Sequence, residues 1–180
     1  MTTASPLLFL VAGSRGAGKT TFCSRLVQAA REAGWQTGGL ISHPVFEGSR
    51  RTAIDAEDLR TGEIRRLAAL AAPGEPVTPG TKQWQFDPGV VEWGNQVLAA
   101  STPCDLLVVD ELGPLELERG QGWQAGLAAV DSQQYAIAVV VIRAELLGEV
   151  LLRWDDANLV EIDTPEDSAY KAQVLSRQLF

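Results

Sequence analysis

One stretch near the start of the chain combines the residue types that bind phosphate. Residues 13–20 match the Walker A pattern G-x-x-x-x-G-K-[ST] at every defined position. Glycines let backbone N–H groups turn towards phosphate oxygens, a lysine at this spacing reaches the β- and γ-phosphates, and the final hydroxyl is a ligand for Mg²⁺. We therefore predict a nucleotide site in which Lys19 also acts in catalysis. The predicted binding residues here are Gly13, Ser14, Arg15, Gly16, Ala17, Gly18, Lys19, Thr20 and Thr21.

Two acidic residues follow an apolar segment much later in the chain. Residues 106–109 predict a buried strand, and Asp110 and Glu111 come directly after it, as in a Walker B strand. A carboxylate at this end of a strand can hold Mg²⁺, so we predict Asp110 and Thr20 as its ligands. Glu111 is placed to orient or deprotonate a water molecule against the γ-phosphate. We predict that both acids belong to the nucleotide site and that Glu111 and Lys19 are catalytic.

The hydrophobic pattern predicts the elements that position these groups. Residues 7–12 form an apolar strand, and apolar residues at helical spacing follow from Gly18 to a stop at Gly34. Strand and helix patterns then alternate, which predicts one α/β domain over residues 1–180, with a mostly parallel sheet and helices on both faces. Further strands are predicted at 37–42, 51–59, 64–67, 84–86, 135–142 and 159–162, further helices at 88–100, around 123–130, at 145–154 and after Thr164, and a loop at 71–80.

The charge and composition of the chain argue against several kinds of binding partner and cellular location. The formal net charge of −8 argues against a nucleic-acid partner, because such proteins usually carry a basic patch. The sequence has no apolar run of about 18 residues, so no membrane span is expected. Cys23 and Cys104 are isolated and are expected to be small core residues, and the first residues lack the basic charge of a signal peptide. We therefore predict a cytoplasmic protein, with no identified protein partner.

The segment that begins with the two acids carries a more specific resemblance. Residues 110–117 read D-E-L-G-P-L-E-L, and together with the Walker A loop they resemble the THEP1-type nucleoside-triphosphatase family. Residues 34–42 and 51–62 are similar to two further segments of that family, so the resemblance covers residues 7–145. It implies a three-layer, RecA-like P-loop NTPase fold. It also implies Mg²⁺-dependent hydrolysis of several nucleoside triphosphates, such as ATP, GTP, CTP and UTP, to diphosphate and phosphate.

The chain departs from the family pattern at two places. Residues 42–44 read S-H-P where the family often has T-E-E, and no N-R-[DN] triplet occurs near the C-terminus. His43 is the only histidine; it lies at a predicted strand end, where it is either a loop residue or a substrate contact. No base-side contact is carried over from the family's C-terminal region.

Several arginines are candidates for phosphate contacts. Arg143 follows the strand at 135–142 and is therefore expected on the phosphate side of a parallel sheet, where it is placed to sense the γ-phosphate. Arg15 lies inside the Walker A loop and is a second candidate, and the sequence does not decide between them. The other clustered arginines are expected to form a solvated face of the hairpin; they are Arg50, Arg51, Arg65 and Arg66.

Two other function classes stay open. One is a P-loop kinase for a nucleotide or small molecule, which needs an acceptor pocket and usually an arginine-rich lid. Arg119 is the only arginine in residues 112–129, which weakens this alternative. A nucleotide-gated adaptor protein would use the same loop to control binding to a partner. A GTPase switch is disfavoured, because the sequence has no N-K-x-D motif for reading guanine.

Overall fold

The computed structural model describes residues 5–78, 81 and 83–180, so residues 79 and 80 of the predicted loop lie outside it. Within these ranges the chain forms eight strands and six α-helices. The strands are β1 (Leu7–Ala12), β2 (Thr37–Glu47), β3 (Arg50–Asp58), β4 (Ile64–Leu70), β5 (Trp84–Phe86), β6 (Cys104–Leu112), β7 (Tyr135–Ile142) and β8 (Asn158–Glu161). The helices are α1 (Lys19–Glu32), α2 (Pro88–Ala99), α3 (Pro114–Leu117), α4 (Gln124–Asp131), α5 (Leu147–Arg153) and α6 (Pro165–Leu179).

All eight strands belong to one sheet, in the order β5-β4-β3-β2-β6-β7-β1-β8. The strands β2, β6, β7, β1 and β8 run parallel to one another, whereas β3, β4 and β5 are added by antiparallel pairing. The strand before the Walker A loop, β1, is separated by β7 from the strand that carries the two acids. The carboxyl ends of β1, β6 and β7 therefore meet at one edge of the sheet, where open α/β sheets bind their ligands.

Helices cover both faces of the sheet and bury two separate apolar layers. On one face α1 and α6 pack over strand residues such as Leu106 and Val108. On the other face α2, α4 and α5 pack over Leu107 and Val109. Because side chains alternate along a strand, consecutive apolar residues serve both layers, which explains why the central strands are uninterrupted apolar runs. The predicted three-layer α/β fold with a mostly parallel sheet is confirmed.

The caps explain where two of the helices begin. The side chain of Asp87 accepts hydrogen bonds from the N–H groups of Gly89 and Val90, at 2.8 and 3.2 Å, and so starts α2 where the sequence predicted it. Thr164 accepts from the N–H of Asp167 at 3.2 Å and starts α6. The predicted helix at 145–154 is shorter, because a 3₁₀ turn at Ala144–Leu146 precedes α5. Within the described residues no helix is both long and apolar enough to cross a bilayer.

Three strands extend beyond their predicted ends: β4, which continues from residue 67 to Leu70, and the two strands described next. The strand predicted at 37–42 continues as β2 to Glu47, and beyond Leu40, where its pairing with β6 ends, it is paired with β3 only. Residues 43–47 are largely exposed and include a proline, so they lack the apolar pattern of a strand. This part of β2 is held by its hydrogen bonds to β3 rather than by burial. The strand predicted at 106–109 continues as β6 to Leu112, although its register with β7 shifts between Val109 and Leu112. The paired ends of β2 and β3, residues 43–53, project past the carboxyl edge of β6, and we call them the overhanging hairpin.

Candidate functional site

The Walker A loop is shaped by close packing against the C-terminal part of the chain. Gly13 has a φ of 155°, and a Cβ atom there would lie 2.2 Å from the carbonyl oxygen of Ile162. Gly18 has a φ of 101°, and a Cβ there would lie 2.9 Å from the Cβ of Ser168, whose hydroxyl donates to the Gly18 carbonyl at 2.8 Å. Only glycine fits both positions, so β8 and α6 fix the loop from outside.

The first turn of α1 presents a positive end to the loop. Gly18 is the N-cap and has no side chain to accept from the first amides, and no acidic residue lies in the first turn. Such a helix end binds anions, because its N–H groups lack intrahelical partners and the helix dipole favours negative charge. Within the loop Ser14, Arg15 and Gly16 are exposed and Ala17 is buried, while Thr21 is exposed on the helix.

Lys19 folds back over the loop that precedes it. Its ammonium group donates to the carbonyl oxygens of Gly13 and Ser14, at 2.8 and 3.0 Å. The charge is therefore held at the mouth of the loop, beside the free amides of the first turn of α1.

Thr20 and Asp110 meet across the sheet edge. The Thr20 hydroxyl donates to Oδ2 of Asp110 at 2.9 Å, and the backbone N–H of Ser42 donates to the same oxygen at 3.3 Å. Asp110 is only 2% exposed. Burial first, and then the charge of Glu111, raise the pKa of Asp110 to about 6, against the opposing effects of Thr20, Ser42 and His43. Ser42 also donates from its hydroxyl to the Asp110 carbonyl at 2.7 Å, a contact that no motif in the sequence indicates.

This donor pair fits Mg²⁺. A buried carboxylate beside a second acid is costly without a cation, and the raised pKa of Asp110 reflects its burial and the charge of Glu111. Among the described residues no group of three or more His, Cys, Asp or Glu side chains forms a site that could enclose a metal. One carboxylate and one hydroxyl are what Mg²⁺ commonly takes from a protein, since it fills its other positions with water and phosphate oxygens.

Glu111 is paired with Arg143. The Nε of Arg143 donates to Oε1 of Glu111 at 2.7 Å, and the two side chains are 51% and 31% exposed, respectively. Burial alone would lower the pKa of Arg143, but the hydrogen bond and charge of Glu111 outweigh it and raise that pKa. The structure thus brings Arg143 to the carboxyl edge of the sheet, as the sequence predicts, and to an acid of the site.

A buried glutamate orders the segment that follows the two acids. Glu116 accepts from the N–H groups of Gly113 and Trp123, at 2.8 and 2.9 Å, and is 7% exposed. Burial raises its pKa, and the two backbone donors oppose that rise. Its side chain bridges the start of α3 to the start of α4, and so holds the turn directly after Glu111. In the sequence, Glu116 is one residue of the D-E-L-G-P-L-E-L segment, and nothing in that pattern indicates this structural role.

The arginines of the overhanging hairpin and of the neighbouring strand β4 are less solvated than the sequence predicts. Arg51 is partly buried, with its guanidinium 5.3 Å from the ring centre of Trp84, and Arg65 lies over Trp93 at 4.6 Å. The prediction of solvated side chains is wrong for Arg51, because β5 pairs back onto β4 and brings Trp84 under the hairpin. His43 is bound to Glu57 at 2.7 Å.

Comparison with known proteins agrees with this geometry. Residues 8–175 match the model of a protein family described as NTPase. The chain is 32% identical over 143 residues to nucleoside-triphosphatase THEP1 of Ignicoccus hospitalis, covering 79% of each chain. It is 32% identical over 152 residues to nucleoside-triphosphatase THEP1 of Thermococcus kodakarensis, covering 80% of this chain and 83% of the relative.

A solved structure has the same fold. The solution structure of a human cancer-related nucleoside triphosphatase aligns with a TM-score of 0.68 and 21% identity, covering 96% of this chain and 97% of that one. At this identity the likeness concerns the fold alone. The family match over most of the chain and the identity to two relatives show that the chain belongs to the THEP1-type NTPase family.

Proposed function

We propose that the protein hydrolyses nucleoside triphosphates to diphosphates and phosphate, with Mg²⁺ and with broad tolerance of the base. One observation carries the proposal: Lys19, Thr20 and Asp110 converge at one edge of the sheet with Glu111 next to them. We further propose that the chain acts as one domain over residues 1–180, and that it works in the cytoplasm, where its unpaired Cys23 and Cys104 stay reduced.

The Walker A loop binds the phosphates. The amides of the loop and of the first turn of α1 donate to phosphate oxygens, and Lys19 exchanges its two carbonyl partners for the β- and γ-phosphates. This binding costs little rearrangement, because the glycines of the loop are already held by Ile162 and Ser168.

Thr20 and Asp110 would hold Mg²⁺ at the phosphates. When bound, Mg²⁺ neutralises the negative charge that develops on the phosphate oxygens during the reaction. Ser42 keeps Asp110 in place through its N–H and hydroxyl groups.

Glu111 directs the attacking water. The carboxylate accepts a proton from the water, whose oxygen forms the new bond to the γ-phosphorus. The bond from that phosphorus to the β–γ bridging oxygen breaks, and its electron pair stays on the β-phosphate of the diphosphate product. Arg143 is a positioning residue, because it binds one oxygen of Glu111 and orients the carboxylate.

Base tolerance is supported by the sequence, which contains no N-K-x-D motif and no N-R-[DN] triplet. Strong base selection requires buried polar groups that lose a partner when the wrong base binds. We propose ATP, GTP, CTP and UTP as substrates, and no nucleic-acid, membrane or protein partner is part of the proposal.

Phosphate release from these four triphosphates tests the proposal. Each is incubated with Mg²⁺ or with excess EDTA, and with or without candidate acceptors such as nucleoside monophosphates. We expect Mg²⁺-dependent release from all four. A preference of more than about a thousandfold for one base, roughly 4 kcal/mol, would contradict base tolerance. Faster transfer to an acceptor than to water would contradict hydrolysis and identify a kinase.

A further inference from the structure

The overhanging hairpin carries an arginine at the carboxyl edge of the sheet, the edge that also bears the Walker A loop. In the β2–β3 pairing, Arg51 lies opposite Phe46. Phe46 is four residues beyond Ser42, whose backbone N–H donates to Asp110. At about 3.3 Å per residue, the Phe46–Arg51 pair lies roughly 13 Å beyond Ser42 along the hairpin, past the carboxyl edge of β6.

The guanidinium of Arg51 is held in place but incompletely satisfied. It stacks on Trp84 at 5.3 Å, and its Nε is buried with no hydrogen-bond partner in the described part of the chain. Buried donors are nearly always paired, so an unpaired one at a site edge indicates a missing acceptor. A guanidinium fixed on an aromatic face keeps its remaining N–H groups free to bind an anion.

The charges around Arg51 identify which part of the molecule it faces. Burial lowers its pKa most, Arg15 of the Walker A loop lowers it further, and Glu111 and Asp110 oppose the change. Exposed charges are largely screened from one another beyond about 10 Å at ordinary ionic strength. The charges that shift the pKa of Arg51 therefore indicate that it lies in the electrostatic neighbourhood of the Walker A loop and of both acids.

We propose that Arg51 donates to the terminal phosphate of the bound nucleoside triphosphate and stabilises the charge that this phosphate gains in the transition state. The proposal rests on the proposed function. The two arginines that the sequence indicates are less suited to this role. Arg143 is already bound to Glu111, and Arg15 is exposed and has no partner in the described part of the chain that would hold its side chain in place. A triphosphate at this edge would accept from the terminal N–H groups of the Arg51 guanidinium.

Four proteins test the proposal: the wild type, Arg51→Ala, Arg51→Lys and Arg50→Ala. Arg50 is the exposed neighbour of Arg51 and points to the opposite side of the strand, so its loss removes the same charge without the contact. Single-turnover hydrolysis of ATP is measured for each, together with the affinities for ADP and for a non-hydrolysable ATP analogue.

We expect Arg51→Ala to hydrolyse about a thousandfold more slowly, at the low end for arginines that contact a transferred phosphoryl group. Its affinity for ADP should stay within about threefold of the wild type, and its affinity for the triphosphate analogue should fall more. Arg51→Lys keeps the charge over Trp84 but not the planar fork, so it should remain slow. Added methylguanidine should partly restore Arg51→Ala, which shows that the variant is folded and lacks only the guanidinium.

The outcomes separate this proposal from the proposed function. If the wild type hydrolyses ATP and Arg51→Ala does so within about threefold of it, Arg51 does not act on the phosphate. If Arg50→Ala is as slow as Arg51→Ala, the effect comes from overall charge, and the proposal fails. If the wild type itself releases no phosphate from any triphosphate, the proposed function fails.

Discussion

The Walker A loop and the overhanging hairpin lie at the same edge of the sheet but differ in how their polar groups are paired. Lys19 and Thr20 already have partners, two loop carbonyls and the Asp110 carboxylate. On the hairpin, the Nε of Arg51 has no partner in the described part of the chain. A ligand entering the loop exchanges one set of hydrogen bonds for another, whereas a ligand reaching Arg51 supplies a missing one. We therefore expect the loop to govern nucleotide binding, and the acids and Arg51 to govern the rate.

The largest effect is expected at Lys19. Lys19→Ala removes the ammonium group that the loop holds over the phosphates. We expect no detectable turnover, and a loss of triphosphate affinity of about 10- to 100-fold, the value of one hydrogen bond to a charged group. Calorimetric titration and phosphate release measure the two effects.

Arg25→Ala is the matched control for Lys19. Arg25 is exposed on α1, so its loss changes the net charge equally without touching the loop mouth. Turnover at the wild-type rate in Lys19→Ala would show that the Walker A loop is not part of the nucleotide site.

A moderate effect on stability is expected at Glu116. The carboxylate of Glu116 accepts hydrogen bonds from two backbone N–H groups, one at each oxygen. In Glu116→Gln one of these oxygens is replaced by an NH₂ group, so two donors face each other. We expect the free energy of unfolding to fall by about 1–3 kcal/mol, the cost of leaving a buried donor unpaired. Urea denaturation measures it, with Glu118→Gln as an exposed control two residues away. Equal stability of the two variants would show that Glu116 does not hold the turn after Glu111.

The smallest effect is expected at Arg143. Its ion pair with Glu111 is substantially exposed, so Arg143→Ala should lower the free energy of unfolding by less than about 1 kcal/mol. Arg153→Ala breaks a comparably exposed pair with Asp131 and should behave alike in denaturation. In single-turnover hydrolysis, only Arg143→Ala should slow the reaction, and by less than Arg51→Ala. A loss as large as that of Arg51→Ala would mean that Arg143 contacts the phosphate directly.

The sequence predicted the loop and the strand with the two acids, because each is a local pattern whose chemistry depends on neighbouring residues. It did not predict the partners that these residues find across the sheet. The contact of Ser42 with Asp110 depends on the register of β2 against β6, and the burial of Arg51 depends on β5 returning Trp84 under the hairpin. The polar residues next to Arg51 predict a solvated side chain. They cannot predict its contact with Trp84, which is more than 30 residues away in the sequence.

The central claim is that Glu111 directs a water molecule against the γ-phosphate, and single-turnover hydrolysis of Glu111→Gln tests it most directly. The glutamine keeps the size and can still accept from Arg143, but it cannot take the proton. We expect the rate to fall about 10²- to 10⁴-fold, with nucleotide affinity within about threefold of the wild type. The exposed Glu149→Gln in α5 serves as the control and should hydrolyse normally. Hydrolysis of Glu111→Gln at the wild-type rate would contradict the account.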